Sequence, residues 1–289
     1  MKTAQSRFCK KAFSLIELSI VIVIIAILIG GTIQGKALIN NSRIANARSI
    51  TSKATVSSVE GLVAWYETSA IDSLKASEAF ESAQISTWYD ISPASITLKK
   101  NTLNRTASSA LTYKAKAINN LPALNFNGSA NIVLSKFYQG DFIQSTIFLV
   151  FRPKTINTTL LDSYSTSNTS AIAISASAVN LNAGSSVSTG TSNPANFQVD
   201  GNYIMAAHFF GSSSKVYVNN ITNPAGNSTI DAGSNPLSGL TIGSNKSGGN
   251  GFNGFIAEVI IFNRQLQAKE RKDIFSYLSD KYKIPVSGF

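Results

Sequence analysis

Glu17 is the residue whose chemistry is hardest to place without a partner. It stands at the head of a nearly uninterrupted apolar run, Leu18–Ile33 (LSIVIVIIAILIGGTI). A carboxylate near a bilayer core costs about 2.5–3.5 kcal/mol on insertion scales, so it demands a cation. Other chemistry-bearing residues are sparse. Cys9 is the only cysteine and His208 the only histidine, so no His/Cys metal cluster can be built. A His-based triad would depend on His208, which sits between Ala207 and Phe209 and reads as a core or strand position. Asp, Asn and backbone oxygens in loops could hold calcium, although no D-x-D-x-D-G loop appears. Gly243–Gly254 (GSNKSGGNGFNG) lacks the Lys-Ser/Thr of a phosphate loop and reads as a flexible loop before the last strand. Glycoside hydrolysis needs two carboxylates about 5–10 Å apart. Glu258 reads as the one acid in a strand, with no second acid near it in sequence. The residues thus point to no catalytic group, no metal ligand and no cofactor, and to a non-enzymatic protein.

The elements that must position Glu17 follow from the pattern around it. Lys2, Arg7, Lys10 and Lys11 precede the apolar run without an acid among them, which holds that end in the cytoplasm. At about 1.5 Å per residue, a helix over residues 13–33 crosses a bilayer core. A secretory signal peptide would be cut soon after the run, but the nearest A-x-A, Ala45-Asn46-Ala47, lies far beyond it. An uncut signal anchor explains the span but leaves Glu17 unexplained. Beyond the span, Leu38, Ile44, Ile50, Val56 and Val59 recur at helical spacing, and no proline occurs before Pro93. One helix over 13–60 is expected, about 70 Å long at the standard rise and bent at Gly30, Gly31 and Gly35. A membrane anchor followed by a frayed linker is the alternative.

From Gly61 the regime changes. Short apolar runs bounded by Asn, Gly, Ser and Pro predict strands at Ala123–Phe126, Asn131–Leu134, Thr146–Phe151, Asn202–Phe210, Lys215–Val218 and Phe255–Phe262. Asn219-Asn220 reads as a hairpin turn. Gln267–Tyr282 returns to helical spacing, with Ile274, Phe275, Leu278 and Tyr282 on one side and Pro285 as the stop. That helix is expected over an edge or end of a sandwich. Residues 163–199 carry no charge and predict small-residue strands and loops, with an edge able to pair with another chain. Trp65, Tyr66, Trp88 and Tyr89 read either as core or as sugar-stacking platforms.

The formal net charge is +10, and four of those positive charges lie before Phe13. Lys99, Lys100, Arg105, Lys114, Lys116 and Lys136 fall in 91–140, a stretch without an acid. A nucleic-acid surface would need them on one face, and the mild overall balance disfavours that partner. With Cys9 ahead of Phe13, the chain after it has no disulfide and must be stabilised by its core.

Two resemblances add to this reading. Lys10-Lys11-Ala12-Phe13-Ser14-Leu15-Ile16-Glu17-Leu18, leading the apolar helix, resembles the class III leader of type IV pilins and type II secretion pseudopilins. The resemblance covers about fifty residues of 289. It implies cleavage between Ala12 and Phe13 by a prepilin peptidase, N-methylation of Phe13, and assembly with other pilin subunits guided by Glu17. The family nearly always has Gly where this chain has Ala12, the smallest replacement. Gly61–Glu67 (GLVAWYE), Ser86–Asp90 (STWYD), Ile118–Gly128 and Phe252–Ile284 are similar to concanavalin A-like, laminin G-like jelly rolls. That implies two stacked antiparallel sheets and, in many relatives, a glycan or protein ligand.

The expectation is a mainly β chain: a two-sheet antiparallel jelly-roll sandwich over 61–289, preceded by a leader over 1–12 and the long transmembrane helix, and closed by a short C-terminal helix. The expected role is that of a minor pilin or pseudopilin held in the inner membrane. Its sandwich lies outside the cytoplasm, for adhesion to a glycan or surface protein at a site the sequence does not locate. A membrane-anchored carbohydrate-binding protein that does not polymerise is the alternative.

Overall fold

A computed structural model of the chain describes residues 14–95, 97–106, 110–189 and 194–289. Ala12 and Phe13 lie outside the described residues. The chain divides into two compact units, Met1–Arg43 and Ile44–Phe289.

Helix α1 (Leu15–Ser52) dominates the first unit and contributes its last turns to the second. Helical structure continues through Gly30, Gly31 and Gly35. Ser19 and Thr32, the hydroxyls of the apolar span, donate back to Ile16 O and Ile29 O at 2.8 Å each. Both hydroxyls are therefore satisfied within the helix itself. The helix ends at Ser52 rather than near Glu60. Ser52 Oγ turns back to Ser49 O, Ala54 is extended, and a tight turn over Thr55–Ser58 buries Val56 within the second unit. Hydroxyl competition for the backbone and the burial of Val56 together override the helical spacing.

The second unit is a two-sheet sandwich. Its strands are β1 (Leu62–Glu67), β2 (Thr87–Trp88), β3 (Leu103–Arg105), β4 (Thr112–Ile118), β5 (Leu121–Asn127), β6 (Ile132–Leu134), β7 (Ser145–Pro153), β8 (Thr158–Asp162), β9 (Ala171–Ile174), β10 (Val179–Asn182), β11 (Ser186–Ser188), β12 (Tyr203–Phe209), β13 (Lys215–Val218), β14 (Leu240–Ile242) and β15 (Asn253–Phe262). One sheet runs β13-β12-β7-β15-β5-β4, with β1 also on β15; the other runs β11-β10-β9-β8-β14-β6-β3-β2. Every strand pair is antiparallel. Strand β15 is flanked by β7 on one side, and by β5 and then β1 in succession on the other.

Both faces of the first sheet are covered. Ile147, Leu149 and Phe151 of β7 face the core between the sheets. Phe148 and Val150 face a second core formed with helix α2 (Ala268–Tyr282) and the end of α1. This is why β7 and β15 read as continuous apolar runs rather than alternating ones. It also corrects the place of α2, which covers the outer face of this sheet instead of an edge or end. A face carrying Phe148, Val150, Ile204, Ile260 and Phe262 cannot stay in water, and Ile274, Phe275, Leu278 and Tyr282 cover it. Helix α2 starts on a capping box between Gln267 and Glu270 and ends at Lys283, which is left-handed at φ 53°.

Two turns differ from expectation. Asn219 is left-handed, at φ 47°, but leads to a bridge between Asn220 and Ser287 rather than a hairpin. The tight hairpin turn is Asn119-Asn120 between β4 and β5, where both residues have positive φ (46° and 65°). Gly61 holds φ 82°, and a Cβ there would lie 2.7 Å from Asn263 Oδ1. Glycine is therefore required where the chain enters β1.

Candidate functional site

In the first unit, Ser14-Leu15-Ile16-Glu17 closes the head of α1 as a capping pair. Ile16 N donates to Ser14 Oγ (3.3 Å), and Ser14 N donates to Glu17 Oε2 (2.9 Å). The pair fixes the Glu17 carboxylate at the positive end of the helix dipole, within a few residues of Phe13 in sequence. Oε1 makes no hydrogen bond among the described residues. Leu15–Thr32 is long and apolar enough to cross a membrane, and none of it is buried within the chain.

In the second unit, the most concentrated chemistry is inside. Glu67 on β1 lies directly opposite Glu258 on β15. A bulge between Ile256 and Glu258 turns Ala257 and Glu258 to the same side, toward α2. Lys281 of α2 reaches both carboxylates, bonding Glu67 Oε1 and lying 2.7 Å from Glu258 Oε2. Glu258 also accepts from Trp65 Nε1 (2.7 Å), Tyr277 OH (2.7 Å) and Tyr282 OH (2.9 Å). Glu67 accepts from Ser69 Oγ and Ala70 N. Thr51, at the end of α1, stands 3.3 Å from Tyr277 OH. All three charged side chains have 0% exposure. Burial raises the Glu258 carboxyl above its ordinary value, opposed chiefly by the Lys281 charge. Burial, followed by the nearby Glu258 charge, likewise pushes the Tyr277 and Tyr282 phenols up.

Glu258 is therefore not the lone strand acid the sequence reading made it. The two carboxylates are paired, but in a dry position with an ammonium between them. They fasten β1, β15, α2 and the last turn of α1 into one body. Arg48 adds a second fastening from α1, donating from Nε to Ser69 O at 2.7 Å.

Of the aromatics weighed as sugar platforms, Trp65, Tyr66 and Trp88 are buried, and Tyr89 is half-exposed. His208 is 1% exposed against Tyr217, and neither ring nitrogen has a hydrogen-bond partner among the described residues. Burial lowers its pKa to about 3, helped by the charges of Arg271 and Lys215, so the ring stays neutral. The glycine-rich segment is pinned rather than loose. Asp162 Oδ2 accepts from Lys246 N (2.9 Å), and Lys246 Nζ donates to Thr166 O (3.0 Å) and Thr169 Oγ1 (2.9 Å). Strand β11 forms the uncharged outer edge of the second sheet.

The cations of 91–140 stand in different local settings. Lys114 pairs with Glu81, and Lys116 is exposed elsewhere on β4. Lys99 and Lys100 sit together beside β2. Lys99 Nζ lies 4.6 Å from the Tyr89 ring centre, and Lys100 Nζ 3.2 Å from that of Tyr138. Asn101 joins their two loops. Its Nδ2 donates to Val63 O (3.0 Å) and Gln139 Oε1 (3.1 Å), and its Oδ1 accepts from Tyr138 N (2.8 Å). Sequence reasoning missed this pairing because the tyrosines come from segments about fifty residues apart.

These features define a β-sandwich carried on an N-terminal helix of the kind that crosses membranes. Residues 7–33 match the family model described as the prokaryotic N-terminal methylation motif, so the N-terminus is pilin-like. No curated protein sequence matches the chain. Among solved structures, the chain is similar to domain 4 of a GH43 extracellular arabinanase from Geobacillus stearothermophilus, solved with arabinotriose. Identity is 16% over 74% of this chain and 97% of that one, with a TM-score of 0.51. A mutant GH54 α-L-arabinofuranosidase matches at 7% identity and TM-score 0.52, over 69% of this chain and 51% of its own. Trypanosoma rangeli sialidase bound to 2,3-difluoro-KDN matches at 17% identity and TM-score 0.50 over 77% of this chain, which spans only 33% of the sialidase. These likenesses establish the sandwich fold.

Proposed function

We propose that the chain is a non-enzymatic pilin-like subunit, a minor pilin or pseudopilin of a type IV pilus or type II secretion filament, whose sandwich is displayed for recognition. The observation that carries this reading is the methylation motif over residues 7–33 coinciding with Glu17 at the head of an unburied apolar helix. A prepilin peptidase cuts between Ala12 and Phe13, and the new amine on Phe13 is methylated and stays cationic. Glu17 of a neighbouring copy pairs with that amine at low dielectric, where the attraction is strong. The uncut precursor lacks the amine, so processing switches assembly on. The burial of Glu67 and Glu258 around Lys281 favours the non-enzymatic reading.

The test is a Glu17→Ala variant followed by membrane fractionation and filament shearing. It should insert normally but be missing from sheared filaments; normal incorporation refutes the role of Glu17. A second reading, a membrane-anchored glycan-binding protein that never polymerises, draws on the likeness to the arabinanase domain solved with a trisaccharide.

A further inference from the structure

The Lys99–Tyr89 and Lys100–Tyr138 pairs set two neighbouring cations over aromatic rings on a built loop, with Lys99 and Tyr138 exposed and Lys100 and Tyr89 half-buried. Lys99 and Asn101 both adopt left-handed backbone, at φ 50° and 52°, a conformation non-glycine residues keep only when their surroundings enforce it. Here the buried Asn101 enforces it. Its side-chain amide bridges three segments, and its backbone carbonyl accepts from Tyr66 OH at 2.6 Å. The loop is thus positioned from the core, while Tyr138 remains 66% exposed at its surface. Lys136, exposed two residues before Tyr138, adds a third cation.

The carboxylate near this corner is that of the buried Asp90, 3.4 Å from Asn101 Nδ2 and bonded to Trp65 N and Ser92. Residues 91–140 contain no Asp or Glu, and among the described residues none of Lys99, Lys100 and Lys136 makes an ion pair. An ammonium over a ring face is only partly compensated and is available to an anion. The anion that fits also offers an apolar face to a tyrosine ring, as a pyranose does with its C–H groups. A nucleic acid fits less well. Phosphate recognition favours the two-donor fork of arginine, and this cluster holds only lysines. Three lysines are also few beside the roughly 6–10 phosphate contacts of strongly salt-dependent binders.

We infer that the Tyr89–Lys99 and Lys100–Tyr138 corner is a binding site for an acidic polysaccharide, its uronate carboxylates on the lysines and its sugar faces on the tyrosines. This inference rests on the recognition role proposed above and names its ligand class. The test uses the full-length protein in detergent micelles over surfaces carrying polygalacturonate, its fully methyl-esterified form, or single-stranded DNA.

Polygalacturonate should bind, and esterification, which keeps the sugar and removes the charge, should weaken binding at least about tenfold, or about 1.4 kcal/mol. The double variant Lys99→Ala/Lys100→Ala and the single variant Tyr138→Ala should each lose at least as much. Lys116→Ala, which removes a single charge from β4, should change binding less than about twofold. Absence of polygalacturonate binding, equal binding of the ester, or tighter binding of DNA overturns the site. If a glycan array captures the protein on neutral sugars and the Lys99/Lys100 variant is captured equally, this ligand class is overturned while the recognition role stands. An array with no capture overturns both.

Discussion

Replacing Lys281 by Met tests the buried network most sharply. The substitution keeps the length and most of the volume of the side chain but removes the charge from between Glu67 and Glu258. At 2.7 Å and an effective dielectric of about 20, the Lys281–Glu258 attraction alone is about 6 kcal/mol before desolvation is subtracted. Breaking one member of a buried ion cluster costs a net of about 3–5 kcal/mol, because the partners are left charged and dry. A typical domain has only about 5–15 kcal/mol of stability, so the variant should be near the edge of folding.

The loss should depend on pH in a definite sense. Without Lys281 the pair can relieve its repulsion only by binding a proton, and the Glu258 carboxyl, already raised by burial, loses the charge that opposed that rise. Stability is then fully present below the unfolded carboxyl pKa and is lost as pH rises through the folded value. Urea titration followed by tryptophan fluorescence reads this directly, since Trp65 donates to Glu258 and is one of only two tryptophans. The defect should be smallest near pH 5 and largest near pH 8, and adding Glu67→Gln should restore part of the loss. A Lys281→Met protein within about 1 kcal/mol of the parent at pH 8, or one hurt more by acid than the parent, refutes the reasoning.

His208 should behave oppositely. Its folded pKa of about 3 lies below the ordinary 6.5, so its contribution is present above 6.5 and is lost as pH falls toward 3. The slope is up to about 1.4 kcal/mol per pH unit, and His208→Leu should flatten it in acid titrations. Asn101→Ala removes the amide joining Val63, Gln139 and Tyr138 and should cost about 2 kcal/mol in urea while mobilising Tyr138 in fluorescence anisotropy or NMR. Asn120→Gly, at φ 65°, should stabilise the β4–β5 turn by up to about 1 kcal/mol in the same titration, because glycine takes that conformation without strain.

Much of this architecture is legible in the sequence because it is local. The spacing of Ile274, Phe275, Leu278 and Tyr282 gives α2 and its buried face, and the apolar runs give β7, β12, β13 and β15 nearly residue for residue. Glu17 announces itself because it is a lone acid at the head of an apolar run. The Glu67–Lys281–Glu258 network is invisible for the converse reason. Its members come from opposite ends of the sandwich sequence, and the bulge at Ala257 breaks the alternation that would have shown which way Glu258 points. Helix α1 ends early because the turn at Thr55–Ser58 is set by Val56 packing on α2 and its sheet, a tertiary contact no helical spacing encodes. The lysine–tyrosine corner depends on Asn101 joining two distant loops, and is likewise beyond local reading.

The claim on which the functional account turns is that cleavage creates a cationic partner for Glu17. Intact-mass and N-terminal peptide spectrometry of the protein purified from its native cells tests it most directly. The account predicts a chain beginning at Phe13 and carrying one added methyl group. A chain that still begins at Met1 contradicts it.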